Sequence, residues 1–247
     1  MSTTIGQESP LRLHDLSGVW SRTLLIDSAG NRDETSEVTW LQAGSCFVDL
    51  RRSAERPSFG GIDCVADMTG AQRDWAMSQQ GFAGTLVATD GTFEWQRSID
   101  LHPPGTAPDA GRLRLDSGLL VETGLHGDYT EHWTPRPTAC RPAWAFRLRD
   151  QEDRQALLIR VGDHFGWARG RLPGATAETD FFDCEIALGR ITGASWRITT
   201  SSLPFREGDS LAPKLAGRVL VTADRSQDGH VTGWQWQVEG DEGDARL

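Results

Sequence analysis

A chain of 247 residues, 38% hydrophobic and 24% charged, has the balance of a folded globular protein and the length for one large β domain or two smaller ones. Its formal charge of −10 argues against a nucleic-acid partner, because phosphate binding depends on a basic surface that releases counterions. Lys214 is the single lysine, which leaves Schiff-base chemistry one candidate and argues against it.

The opening stretch, MSTTIGQESP, has neither a basic region nor an apolar core, so a secretory signal is not expected there. No apolar run approaches the roughly 20 residues of a membrane helix. The expectation is a cytoplasmic protein with no membrane partner. In it Cys46, Cys64, Cys140 and Cys184, which show no CxxC spacing, are free buried thiols.

From residue 18 onward, short alternating or β-rich runs recur between Gly, Asp, Asn and Pro clusters. They predict strands over 18–26, 37–41, 46–51, 85–88, 92–101, 112–115, 119–123 and 129–133. The series continues over 143–148, 156–161, 164–169, 184–188, 195–201, 218–222 and 233–238. So many short strands mark an all-β sandwich or barrel. Residues 71–80, AQRDWAMSQQ, are the best helical candidate and are read as a short helix or a loop crossing.

The two halves echo each other in order. GVWSRTLLID, with Trp20, resembles PAWAFRLRD, with Trp144. LQAGSCFVDLR resembles IRVGDHFGWAR and pairs Gly44 with Gly162, Phe47 with Phe165 and Arg51 with Arg169. TFEWQRSIDLHP resembles ASWRITTSSLP, pairing Trp95 with Trp196 and Pro103 with Pro204. Gly111-Arg112 matches Gly217-Arg218, and YTEHW resembles WQWQV. Strand–turn–strand composition generates some such echoes by itself, but the shared order favours two related units. The proline-rich TPRPTACRP, residues 134–142, suits the linker between them, which gives units 1–137 and 138–247.

The run Leu16-Ser17-Gly18-Val19-Trp20, followed by Arg22, resembles the Gly-x-Trp opening strand of lipocalins and other calycins. That likeness implies that Trp20 closes the narrow end of a barrel, packed against an arginine from the last strand. Together with Val38-Thr39-Trp40-Leu41-Gln42, Phe47-Val48-Asp49-Leu50-Arg51 and Gly162-Asp163-His164-Phe165, the chain resembles the family named for the fungal protein Hri1. The resemblance implies two lipocalin-like (calycin) β-barrel or curled-sheet units, and it brings little function.

Period-two alternation puts Phe47, Asp49 and Arg51 on one face of their strand and Cys46, Val48 and Leu50 on the other. Asp49 and Arg51 then either face solvent, the preferred reading, or line a cavity where Arg51 binds an anionic group. Residues 128–133, DYTEHW, are the most reactive-looking run, with Tyr129, Glu131 and Trp133 sharing a face opposite His132. A desolvated Glu131 would serve as an acid or base near neutral pH, although a final strand that merely packs, with Glu131 paired to an arginine, is the plainer reading. His164 is read as a packing histidine; as a base it would need Asp163, which alternation points to the other face.

The histidine spacings fit no metal site, and GxGxxG, Walker and GxSxG motifs are absent. Some calycins hold haem through one histidine, which would be His164 or His132 here, but the expectation is a protein without a cofactor. The preferred function is binding of a small apolar or aromatic molecule in a calycin cavity. Asp49, Arg51, Tyr129, Trp133, Trp167 and Arg169 are its candidate ligand-binding residues. The alternative is a cofactor-independent lyase, isomerase or hydratase that uses Glu131, His132 and His164. The small ligand, and at most a second copy of the chain in a homodimer, are the expected partners.

Overall fold

The structure, a computed structural model, describes residues 11–103 and 105–244; the opening stretch read for a secretory signal lies outside them. Strands β1 (Gly18–Ile26), β2 (Arg32–Asp33), β3 (Glu37–Ala43), β4 (Cys46–Arg52), β5 (Gln80–Thr89), β6 (Thr92–Asp100), β7 (Ala110–Asp116), β8 (Leu119–Gly124) and β9 (Thr130–Pro135) form one antiparallel sheet. Pairing of β9 back onto β1, with Leu25 opposite Glu131, closes eight of them into a barrel, and β2 is a short flap on β1. A second antiparallel sheet contains β10 (Ala143–Arg149), β11 (Gln155–Val161), β12 (His164–Arg169), β13 (Glu185–Thr192), β14 (Ser195–Ser201), β15 (Lys214–Ala216), β16 (Val219–Arg225) and β17 (Val231–Gly243). It is curled rather than closed. Residues 208–211 bridge its gap, exchanging backbone hydrogen bonds with Trp196 and Ile198 on one side and Ala223 on the other.

The predicted helix is α1 (Gly70–Ser78), started by Thr69, whose hydroxyl accepts from the Gln72 amide while the Gln72 side chain accepts from the Thr69 amide. It ends earlier than expected because Gln79 and Gln80 are already extended, and β5 runs ten residues rather than the predicted four. No helix among the described residues is long and apolar enough to cross a membrane.

The two units share their ladder plan up to a shift. Gly44 (φ +58°) and Gly162 (φ +59°) both sit in two-residue hairpin turns, where Ala43 faces Cys46 and Val161 faces His164. A side chain at Gly44 would collide with Glu242, and one at Gly162 with the Ala139 carbonyl, so left-handed backbone and close approach both select glycine. Phe47 and Phe165 lie three residues beyond these turns, Arg51 and Arg169 seven. Trp20 and Trp144 are on corresponding strands but not in register. Trp20 faces Trp40, four residues before Gly44, whereas the residue four before Gly162 is Leu158, which faces Phe146. Gly111 also fails to match Gly217: it is inside β7, while Gly217 turns β15 into β16 as Gly118 turns β7 into β8.

Three apolar layers follow from the alternation. The barrel interior holds Trp20, Trp40, Trp95, Trp133, Phe47, Phe82 and Phe93. Trp40 is its hub, with ring centroids 6.0 Å from Trp20, 6.0 Å from Trp95 and 5.6 Å from Trp133. The second interior gathers Trp144, Phe146, Phe165, Trp167, Trp196 and Trp236. Between the units, Val19, Leu41, Cys46, Val48 and Leu50 pack on Ala145, Leu157, Ile159, Val161 and Ile186. The apolar face of β4 is therefore buried against the other unit. Trp20 donates to the Leu16 carbonyl at 2.8 Å and stacks on Trp40. β9, the strand that closes the barrel, carries no arginine to pack against it, and Arg136 just after β9 reaches Ser21 and Thr39. All four cysteines are free, but only Cys46 and Cys184 are buried; Cys140 is exposed because it lies in the linker.

Candidate functional site

Alternation along β4 turns Asp49 and Arg51 inward, which corrects the preferred solvent-facing reading. The reason is that the opposite face is claimed by the second unit. Asp49 is 3% exposed, and the Arg51 side chain 22%. Arg51 donates Nε to Asp49 Oδ1 at 2.9 Å and Nη1 to Glu131 Oε1 at 3.2 Å. Arg22, in phase with Trp20 on β1, donates Nη1 to the same Glu131 oxygen at 2.7 Å and Nη2 to Asp33 at 2.7 Å. The result is an ion chain, Asp33–Arg22–Glu131–Arg51–Asp49, across one end of the barrel.

Glu131 is 2% exposed; its Oε1 takes both guanidinium groups while its Oε2 has no partner. Directly opposite on β8 is Glu122, also buried, which accepts from the Tyr129 hydroxyl at 2.8 Å and the Trp133 indole at 3.1 Å. Burial first, then the Glu131 charge, pushes the Glu122 carboxyl up to about 8. Burial likewise raises Asp49, against the pull of Arg51. It opposes the charge on Arg51 too, but Asp49 and Glu131 outweigh it and keep that guanidinium firmly protonated. Burial, then Glu122, raises the Tyr129 phenol.

Beside this chain the surface opens into a cleft of about 610 Å³ lined by Trp95, Arg97, Asp109 and His126. The two join at Phe82: the Arg97 guanidinium lies 3.5 Å and the Arg51 guanidinium 5.0 Å from its ring centroid. Arg97 is held by Asp109 at 2.5 Å and Asp100 at 3.2 Å. Clefts of about 830 and 650 Å³ lie around the Gly44 turn, at the other end of β4, and contain no such polar chain.

Of the candidate residues, Asp49, Arg51, Tyr129, Glu131 and Trp133 thus come together. His132 does not: it alternates to the outer, half-exposed face of β9. Trp167 and Arg169 are inside the second unit, where Trp167 packs on Trp236 and Arg169 pairs with Asp224 at 3.2 Å and Asp183 at 3.5 Å. His164 lies on the outer face of the second sheet. Its Nδ1 is 3.0 Å from Asp163 and 3.2 Å from Thr138 Oγ1, and its Nε2 faces Arg190. The two meet, contrary to the alternation argument, because Asp163 belongs to the turn and not to the strand. Burial and Arg190 hold the imidazole below its ordinary value. Among the described residues, no three His, Cys, Asp or Glu side chains converge to hold a metal ion.

The second ion chain runs Arg154–Asp183–Arg169–Asp224–Arg206–Glu185, with links of 3.0, 3.5, 3.2, 3.4 and 3.2 Å. It is sealed. The segment between β4 and β5 crosses from the barrel and lays Phe59, Met68 and Trp75 against Leu203 and Phe205, while Arg52 and Arg56 bind Glu207 at 2.9 and 2.7 Å.

Sequence reasoning missed Arg22, Asp33, Glu122 and Phe82. Two had a signal: Arg22 is two residues from Trp20, and Glu122 two from Leu120, so each is a charge on the inward phase of its strand.

Fold and site together describe a tandem β protein, one closed barrel and one curled sheet, each with an ion chain at the same end. No family model matches the chain, and no curated protein does. A solved structure is similar: the uncharacterized protein YLR301w from Saccharomyces cerevisiae, with a TM-score of 0.57 over 92% of this chain and 100% of that one, at 13% identity. At that identity the likeness shows the fold alone.

Proposed function

We propose that the open end of the first barrel binds a small aromatic molecule. The ligand would lie in the cleft over Trp95 and reach the chain of Arg51, Glu131, Glu122 and Tyr129. The observation that carries this reading is the contrast between the two ion chains. Arg51 and Asp33 keep 22% and 28% of their side chains exposed, whereas Arg169 and Asp224 keep 5% and 4% beneath the cap. A polar chain that only closed a barrel end would need no opening beside it. The cleft volume of about 610 Å³ suits a small ligand, and its lining sets the Trp95 ring among polar groups, Gln96, Arg97 and Asp109, that could orient one.

The test is native mass spectrometry of the purified protein for a retained ligand, beside quenching of tryptophan fluorescence by added aromatics. Trp95→Phe should weaken binding by ~0.5–1.5 kcal/mol, the scale of one aromatic contact. If it does not alter binding, the cleft is not the site.

One observation favours a second reading, a cofactor-independent acid–base enzyme. Glu122, near 8, stands opposite Glu131, which two arginines hold, and carboxyls in such different settings divide into acid and base. Glu122→Gln would then abolish turnover and leave binding intact. We further infer a relationship to the Hri1-named family, which the two-unit fold and the likeness to a yeast structure support. A lipocalin-like, cytoplasmic protein divided at 137/138 is part of the same proposal.

A further inference from the structure

The nature of the ligand follows from what the barrel end lacks. Five carboxylates, Asp33, Asp49, Asp100, Asp109 and Glu131, and the neutral Glu122 acid surround three guanidinium groups, Arg22, Arg51 and Arg97. Every one of those arginines is already engaged by two carboxylates. An anionic ligand, the kind expected for a cavity arginine, would find its cations spent and an excess of negative charge. What stays unfilled is an acceptor. Glu131 Oε2 is buried without a partner, and a buried carboxylate oxygen left bare is costly until a donor reaches it. The aromatic walls already attract cations: Phe82 carries Arg51 and Arg97 on its ring, and Trp133 lies 6.0 Å from Arg51.

We infer that the ligand is an organic cation, a protonated amine attached to an aromatic ring, whose N–H groups reach Glu131 Oε2 while the ring lies along Trp95. The inference rests on the binding reading above and narrows it from an aromatic molecule to an aromatic amine. No covalent step is involved: the amine completes the hydrogen bonds of Glu131.

The test uses the full-length chain and three probes with the same ring: 2-phenylethylamine, 2-phenylethanol and phenylacetate, titrated calorimetrically near pH 7. The amine should bind about tenfold more tightly than the alcohol, the size of one charge-assisted hydrogen bond, and phenylacetate most weakly. Glu131→Gln should bring amine and alcohol within about twofold of each other. Should that variant fold poorly, the wild-type protein supplies a second readout. Glu122 is faced by Glu131 and Trp133 from β9, by Tyr129, by Arg51 from β4 and by Asp109 before β7. As it loses its proton near 8, amine affinity should rise with pH and alcohol affinity stay flat. Tighter binding of phenylacetate than of the amine overturns the cation and leaves the cleft standing. Binding of none of the three removes the cleft, and the cation with it.

Discussion

Glu122 gives the fold a pH dependence opposite to that of an ordinary surface carboxylate. Its ordinary value is 4.5, and burial opposite Glu131 raises it to about 8. Between those values the folded chain holds a proton that the unfolded chain has released, so stability falls as pH rises through the window. At 1.36 kcal/mol per unit the shift amounts to at most about 5 kcal/mol lost by about pH 8. Glu122→Gln should remove most of that slope. The amide imitates the protonated acid, since its carbonyl can accept from the Trp133 indole while its NH₂ donates to the Tyr129 oxygen. Near pH 5 the variant should therefore lie within ~1 kcal/mol of wild type, and near pH 8 it should be the more stable by several kcal/mol. Urea unfolding at several pH values from about 5 to 8.5 measures both. Equal slopes for the two proteins would refute the reasoning, because Glu122 would then ionise alike in both states.

Other perturbations probe the rest of the architecture. Trp20→Ala empties a buried indole of the barrel interior and should cost ~3–5 kcal/mol by urea unfolding; a loss below ~1 kcal/mol would mean Trp20 is not a plug. In native protein, a thiol reagent should label Cys140 at once and leave Cys46 and Cys184 unlabelled until unfolding, since burial also pushes both thiols up to about 12. Fast labelling of either would contradict the packed layer between the units. Residues 138–247 expressed alone should give no cooperative unfolding transition, because they expose the layer around Ile159 and Ile186 and lose the cap on Leu203 and Phe205. A sharp transition would show that the units are independently stable.

Strand existence was legible because period-two alternation and turn glycines are local signals, and the hairpins at Gly44 and Gly162 were visible from the residues alone. Which face of a strand looks inward was not. On β4 both faces are buried, so Val48 and Asp49 give no contrast between core and solvent; the decision lies with a second sheet far along the chain. Registers between the units were misjudged for a related reason. Matching Trp20 with Trp144 assumes that large rings keep their ladder position, whereas any inward position two residues away fills a barrel equally well, and Phe146 takes it. Tyr129, Glu131 and Trp133 were grouped correctly by alternation. Their partners Arg22 and Glu122 come from other strands, and pairing across a closed barrel leaves no mark in local sequence.

Arg51 and Arg169 hold the same place, seven residues past the turn glycine, and each threads an ion chain. That repetition by itself favours a structural role, since a barrel end must present backbone and side-chain polar groups to something, and paired charges satisfy them. Repetition cannot explain the difference between the ends. Both chains alternate acid and base, and in both a buried glutamate, Glu131 or Glu185, keeps one oxygen without a partner; what differs is that α1 and its flanking loops cover the second chain, while in the first the loop has crossed to the neighbour and Arg51 stays partly open. The segment that covers the second chain is drawn from the first barrel, so the fold closes one polar chamber more fully than its counterpart, where Arg51 and Asp33 stay partly exposed. If that asymmetry is what makes a site, moving the cap should matter only to stability, whereas changing Glu131 should matter to the ligand.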